Sequence, residues 1–392
     1  MPKASTKKIT AICLHKSDYA RIKEGYPWVF IDWIASPSLV VTCEMGEVVH
    51  VCDHRGNFLA TGMIEADSPL SIRIFSHQKI NVLDAAYFEA AFRKCLAIRE
   101  KLYKEPYYRL VNSEGDNLPG LIIDRFDDLI SIQITTHSMH EYRDFILTGM
   151  TTLFDPKGIY LRIIPRDERV SIGKVKLNCD VFENSVNYVA NLITGQKTGW
   201  YYDQRDNRKL VASYAKGRTV LDAFCYSGGF GIYCILEGAK EVTFVDSSAT
   251  AITMVKTIAT LNRLTEKAKF IADDVFERLT SFAKENKAFD LVVLDPPPFI
   301  KQKSQKAVGI QGYHRLALLG FKVLNPKGLM FFSTCSHHMS KRDLLQQLKL
   351  AADKLKIKIK VITTTGHAGD HPVHPHLPES HYLNSVLLQR ID

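Results

Sequence analysis

None of the eight cysteines, at positions 13, 43, 52, 95, 179, 225, 234 and 335, stands in a C-x-x-C pair or at another ligand-like spacing. That pattern argues against a disulfide framework and a structural zinc site, and points to reduced thiols in a cytoplasm. No metal is expected. Long apolar runs are missing as well. Nothing approaches the roughly 20 residues that span a bilayer, and Lys3, Lys7 and Lys8 are not followed by the apolar core of a signal peptide. A cytoplasmic protein without membrane partners is the expectation. Internal repeats and low-complexity segments are absent, so a repeat architecture is excluded. Charge is not lopsided: 51 basic and 42 acidic side chains leave +9 on 392 residues, a modest surplus that favours RNA or DNA without demanding it.

The chain is long enough for two or three domains. Strand-like runs at 219 to 222, 241 to 246, 268 to 272, 289 to 294, 328 to 334, 357 to 364 and 382 to 389 are separated by helical patterns up to the sixth. Alternation of that kind predicts an α/β fold with a seven-stranded, mostly parallel sheet and helices on both faces. The last two runs have only a Pro- and His-rich segment between them, which predicts a long hairpin at the sheet edge. Such a sheet looks like the Rossmann-like class I methyltransferase fold. Residues 1 to 76 hold short alternating runs, Glu47-Val-Val-His-Val-Cys52 and Leu70-Ser-Ile-Arg-Ile-Phe75, and read as a small β-barrel-like domain. Residues 77 to 190 begin with a helical segment (85 to 103) and continue with strands such as Leu121-Ile-Ile-Asp124 and Leu129-Ile-Ser-Ile-Gln-Ile134. They read as a middle α+β domain, and 191 to 392 as the Rossmann-like one.

Chemistry concentrates at the ends of the predicted parallel strands. Val220-Leu-Asp-Ala-Phe-Cys-Tyr-Ser-Gly-Gly-Phe-Gly231 is a strand, a glycine turn and a helix start, the layout of a nucleotide-type cofactor site. A dinucleotide would bring its pyrophosphate up to Asp222, which is repulsive, whereas the ammonium and sulfonium of S-adenosylmethionine would be attracted. Asp246 closes the second strand and is placed to accept ribose hydroxyls; Asp274, after the third, is placed to accept from an adenine amino group. A solvated turn residue or a helix cap is the plain alternative for any one of them. Three acids at successive strand ends shift the balance to a cofactor. Upstream, Thr194-Gly-Gln-Lys-Thr-Gly-Trp-Tyr-Tyr-Asp-Gln-Arg-Asp-Asn-Arg208 lacks the G-x-x-x-x-G-K-[ST] of a P-loop. Its many donors and acceptors suggest a lip over the amino-acid end of the methyl donor, and a linker with a capped helix is the alternative.

Two further loops follow the fourth and fifth strands: Asp295-Pro-Pro-Pro-Phe299 and Ser333-Thr-Cys-Ser-His-His338. Successive prolines fix φ and remove donors, leaving a rigid wall of carbonyls. Cys335 is the candidate nucleophile. Cytosine C5 is too electron-poor to take a methyl group directly, but a thiolate at C6 makes it enamine-like, provided local donors or His337 and His338 favour the thiolate. The other seven cysteines, Cys225 included, read as packing.

Together these residues resemble the ribosomal RNA large-subunit methyltransferase family that joins an N-terminal PUA domain, a middle hairpin-containing domain and a C-terminal methyltransferase, and whose best-known members make 5-methylcytosine in 23S rRNA. The resemblance covers essentially the whole chain: Gly25-Tyr-Pro-Trp-Val-Phe30, Glu114-Gly-Asp-Asn-Leu-Pro-Gly-Leu-Ile-Ile-Asp-Arg125, Gly195-Gln-Lys-Thr-Gly199, Asp203-Gln-Arg-Asp-Asn-Arg208, Asp222 to Gly229, Asp295-Pro-Pro and Ser333 to His338. It implies catalysis by Cys335 with Asp295. Cofactor contacts would come from Gln196, Thr198, Tyr201, Asp203 and Arg205 in the lip, Asp222, Phe224 and Gly228 in the turn, Asp246 with Ser247, and Asp274 with Val275. The implied partner is large-subunit rRNA, and a homodimer is compatible with it. Two positions depart from the family: Pro298 stands where lysine is usual, and Ala317-Leu318 where Asn-Arg is common.

Three readings stay open at this point. They are a cytosine-C5 methyltransferase, a methyltransferase of an rRNA nitrogen with Cys335 merely structural, and a non-catalytic rRNA-binding assembly factor. Alternating Lys354, Lys356, Lys358 and Lys360 read as a charged strand face protecting a sheet edge, and His367, His371, His374 and His376 as loop residues.

Overall fold

The computed structural model describes residues 9–66, 68–176, 178–193 and 198–392. They fall into two compact units, one over Met1–Leu177, Asn191–Trp200 and Asp370–Ser380, the other over Asn178–Ala190, Tyr201–Gly369 and His381–Asp392.

The first unit holds two five-stranded sheets. In one, the strands lie in the order Thr10–Cys13, Val48–Cys52, Phe58–Ile64, Leu70–Ser76, Trp28–Phe30, all antiparallel except the first pair. Alternate β-branched side chains such as Val49, Val51, Ile72 and Ile74 fill its core, as a pleated strand with one buried face requires. The other sheet runs Glu168–Gly173, Gly158–Ile163, Leu129–Ile134, Leu121–Phe126, Tyr107–Asn112. Leu129–Ile134 is buried along its whole length and pairs parallel to Gly158–Ile163. Helix Ala85–Leu102, capped by Asp84, shares a core with this sheet through Phe88 and Phe92, to which Arg143–Phe154 adds Ile146 and Met150. Buried charges here are paired: Arg99 with Asp116 at 2.6 Å and Arg109 with Asp124 at 2.5 Å. Asp370 ties its segment in by accepting the Arg109 N–H at 2.9 Å.

The second unit carries a seven-stranded sheet in the order Ala268–Ala272, Glu241–Asp246, Thr219–Ala223, Phe289–Leu294, Leu324–Thr334, Asn384–Arg390, Ile359–Thr365. The first five strands are parallel, and Asn384–Arg390 is antiparallel to both neighbours. All seven expected strands form, and the last two make the edge hairpin. Helices Gly229–Leu236, Ala249–Leu261, Val275–Lys284, Lys306–Lys322 and Lys341–Lys354 make the crossovers. A separate hairpin, Asn178–Glu183 with Val186–Asn191, turns through Asn184 and Ser185, both at positive φ, the backbone of a two-residue turn that matches strand twist.

The lysine run departs from the expected strand face. Lys354 is the last residue of a helix, Lys356 sits in a turn at φ +58°, and the strand begins only at Ile359. Of the four alternating lysines only Lys360 belongs to the edge strand, because a helix C-terminus consumes the first half of the run.

Candidate active site

Strand Thr219–Ala223 lies inside the parallel sheet, flanked by Glu241–Asp246 and Phe289–Leu294, and its last four residues are buried. Asp222, 1% exposed, accepts the Gly231 N–H at 2.8 Å. Burial pushes its carboxyl up to about 7; the Gly231 N–H opposes this, Asp295 and Asp246 add to it, and Arg208 opposes. The chain leaves the strand through Phe224, Tyr226 and Gly228, all at positive φ. Gly228 is at +76° with Val255 Cγ1 2.8 Å from where a Cβ would stand, and a Cβ on Gly231 would come within 2.3 Å of the Phe244 ring. Glycine is therefore required at 231 by close packing and at 228 by conformation as well.

Asp246 is held at its strand end by two backbone donors, Tyr226 N–H to Oδ2 and Ser248 N–H to Oδ1, each 2.9 Å. A carboxylate oxygen has two lone pairs, so this geometry still permits ribose hydroxyls. Ser247 beside it is exposed. Asp274 caps the next helix, accepting the Glu277 N–H at 3.0 Å, while Val275 is buried in the core. The cap accounts for Asp274 with or without a ligand.

From Tyr201 onward the lip is held by hydrogen bonds and ion pairs. Asp203, buried, accepts from the Tyr382 hydroxyl at 2.6 Å, and its carbonyl accepts the Ala368 N–H at 2.9 Å. Arg205 donates to Glu183 Oε2 at 3.2 Å. Arg208 donates from Nε to Glu183 Oε1 at 2.7 Å and from Nη2 to Oε2 at 2.8 Å. All three side chains are at most 5% exposed, so the hairpin's Glu183 is a buried counter-ion for two arginines. Arg205 thus has a structural partner. Tyr201 stacks edge-on against Tyr226 with centroids 5.5 Å apart. Burial pushes its hydroxyl well above the usual range, and Tyr226, Asp203, Asp295 and Cys335 act in the same direction. Thr198 belongs to the first unit, where its hydroxyl donates to Asp124. Gln196 lies outside the described residues.

Asp295 and Ser333 follow and close neighbouring parallel strands. Gln204 joins them, its amide donating to Asp295 Oδ1 at 2.9 Å and to Ser333 Oγ at 3.0 Å. Cys335, half-buried, stands between two residues tied to one phenol. Thr334 Oγ1 donates to the Tyr313 oxygen at 2.7 Å, Ser336 Oγ lies 2.7 Å from that oxygen, and the Ser336 N–H donates to Thr334 Oγ1 at 3.2 Å. The thiol's backbone is thereby fixed. Pro298 is exposed, Ala317 is buried and Leu318 is half-buried.

The structure thus brings Tyr201, Asp203, Asp222, Asp246, Asp295 and Cys335 into one unit at the C-terminal edge of its sheet, the ligand-binding edge of open α/β folds. Reading the sequence missed Glu183, Tyr313 and Tyr382. Of these only Tyr313 carried a signal, standing beside a glycine in a helix that faces the cysteine turn.

A close-packed glycine turn over a desolvated carboxylate suits a positively charged nucleoside cofactor. Residues 168–358 match a family model described as S-adenosylmethionine-dependent methyltransferase, and residues 12–77 match a PUA-like domain. Fold and site define an S-adenosylmethionine-dependent methyltransferase with a PUA-like N-terminal domain. Ribosomal RNA large subunit methyltransferase I of Tolumonas auensis is 33% identical over 400 residues, covering 97% of this chain and 100% of that protein. Its namesake from Shewanella denitrificans is 31% identical over 381 residues, covering 93% and 96%. The chain belongs to the ribosomal RNA large subunit methyltransferase I family. A crystal structure of a methyltransferase complexed with SAH shares the fold, with a TM-score of 0.85 at 22% identity over 97% of this chain and 100% of that one. Among the described residues no helix is long and apolar enough to cross a membrane, and no group of three or more His, Cys, Asp or Glu could hold a metal ion.

Proposed function

We propose that this protein methylates C5 of a cytosine in large-subunit (23S) ribosomal RNA through a covalent bond between Cys335 and C6 of the base. Asp222 and Asp246, with the turn at Phe224 and Gly228 and the lip residues Tyr201 and Asp203, hold S-adenosylmethionine, which supplies an electrophilic methyl group. Ser247, Asp274 and Val275 border the adenosine side. Cys335 Sγ, as thiolate, bonds to C6; the C5–C6 π electrons move toward C5 and the ring, and Asp295 accepts from the polar edge of the base. C5 takes the methyl group as its bond to the sulfonium sulfur breaks and S-adenosylhomocysteine leaves; the C5 proton then goes to a base, the C6–S bond breaks, and the thiolate and the aromatic ring are restored.

The observation that supports this most is the Cys335 turn itself. A half-buried thiol, whose two chain neighbours Thr334 and Ser336 both bond the Tyr313 oxygen, follows the strand whose end Gln204 ties to Asp295. An inert core thiol needs no such polar fixing. The relatives' rRNA substrate and the PUA-like domain support RNA as acceptor, with the target base splayed out of the stack. Mass spectrometry of rRNA nucleosides from a deletion strain tests the assignment: one 5-methylcytidine should vanish from 23S rRNA and return on complementation. Loss of a methylated nitrogen instead would refute it.

A further inference from the structure

Gln204 is 3% exposed, and its amide is fully engaged by the protein. Both hydrogens of Nε2 are donated, to Asp295 Oδ1 at 2.9 Å and to Ser333 Oγ at 3.0 Å. Oε1 accepts from Asn207 Nδ2 at 2.6 Å, and Asn207 also donates to the Gly366 carbonyl at 3.1 Å. Ser333 Oγ accepts in addition from Ser385 at 3.1 Å. These partners fix the amide's sense. A flipped Gln204 would set Oε1 against the Asp295 carboxylate and Nε2 against another NH2 group, both repulsive. With its donors spent inside the protein, Gln204 has none for a substrate. The three residues after Asp295 are prolines and have no N–H.

We propose that Gln204 is a positioning residue that locks Asp295 as a hydrogen-bond acceptor beside Cys335, so that the site takes a pyrimidine with an amino group at C4 and rejects one with a carbonyl there. A wall of carboxylate and proline carbonyls is complementary to the N4 donors of cytosine. Uracil turns an acceptor, O4, toward the same wall, leaving acceptors facing each other, the arrangement that costs most in a desolvated site. Gln204 acts through Asp295 and does not touch the base. The inference rests on the covalent cytosine reading above.

The test uses full-length protein, S-adenosylmethionine and 23S rRNA transcribed either with 5-fluorocytidine or, from a template in which the cytidine trapped in that first transcript is changed to uridine, with 5-fluorouridine. Fluorine at C5 cannot leave as a proton, so the Cys335 adduct persists on a denaturing gel. The wild type should form adducts with the fluorocytidine transcript and not with the fluorouridine one. Gln204→Met, which keeps length and removes both donors, should slow adduct formation about tenfold to a hundredfold while leaving the calorimetric affinity for S-adenosylmethionine within twofold. Gln204→Glu, which retains an acceptor for Asn207 and sets an acceptor against Asp295, should show a loss in the same direction. In an Asp295→Ala background neither change should slow the reaction further, because a residue acting through a partner loses its effect with that partner. Equal rates for wild type and both variants, a further multiplicative loss in the Asp295→Ala background, or equal trapping on the two transcripts would overturn the proposal while leaving the cytosine reading intact. No adduct from the wild type on fluorocytidine RNA would overturn both.

Discussion

Replacing Asp222 by Asn should make the ligand-free protein more stable at pH 8 while weakening its hold on S-adenosylmethionine. Burial raises the Asp222 carboxyl from 3.8 to about 7, so the folded state binds this proton more tightly than the unfolded chain does. A raised value means stability that is complete below about pH 4 and is lost as pH climbs through 7. The full difference is on the order of 4 kcal/mol, and the part lost between pH 5.5 and pH 8 is ~2 kcal/mol. Asparagine keeps an acceptor for the Gly231 N–H, which Asp222 holds at 2.8 Å, and has no charge to bury. The Asp222→Asn protein should therefore be more stable than wild type at pH 8 by a few kcal/mol, and this advantage should shrink as pH falls to 5.5. Tryptophan fluorescence would not see this, because Trp28, Trp33 and Trp200 all belong to the other unit. Hydrogen exchange by mass spectrometry over residues 219 to 236 would. Titration calorimetry should show weaker cofactor binding by the variant, since a cationic ligand loses its buried counter-charge. A variant less stable than wild type at pH 8, or one with an unchanged pH slope, would show that Asp222 does not bury its charge at a cost.

Gly231→Ala should destabilise the second unit by about 1–3 kcal/mol, because the added Cβ meets the Phe244 ring at 2.3 Å and Asp222 Oδ2 at 2.9 Å; differential scanning calorimetry would read it. Glu183→Gln should cost about 3–5 kcal/mol, the usual penalty for stranding a buried charge, since Arg205 and Arg208 both lose their carboxylate. The same calorimetry checks that loss.

The sheet was legible because its strands are short apolar runs separated by amphipathic helices, and that pattern reports burial on both faces directly. All seven strands, from Thr219–Ala223 to Asn384–Arg390, form where periodicity places them, within a few residues. The lysine run from 354 to 360 misled for the same reason in reverse. Alternation over a few residues cannot distinguish a strand from a helix end plus a turn, and the turn at Lys356 decided it. At the site, Asp222, Asp246 and Asp295 are readable because each ends a parallel strand. Asp274 is there too, but its side chain is used as a cap, a role that spacing alone cannot separate from ligand binding. Glu183 could not be found from the sequence, since its arginine partners are 22 and 25 residues away and the pairing exists only once the hairpin folds. Gln204 lies 91 residues from Asp295 and 129 from Ser333, and only the register of two parallel strands brings those partners together.

Methyl transfer by wild-type and Cys335→Ala protein to 23S rRNA from a deletion strain, with the product nucleoside identified by mass spectrometry, decides whether Cys335 is the nucleophile. The wild type should yield 5-methylcytidine and the variant no product, while the variant's fold and cofactor affinity should be unchanged. Retained turnover by the Cys335→Ala protein, or a methyl group found on nitrogen, would contradict that assignment.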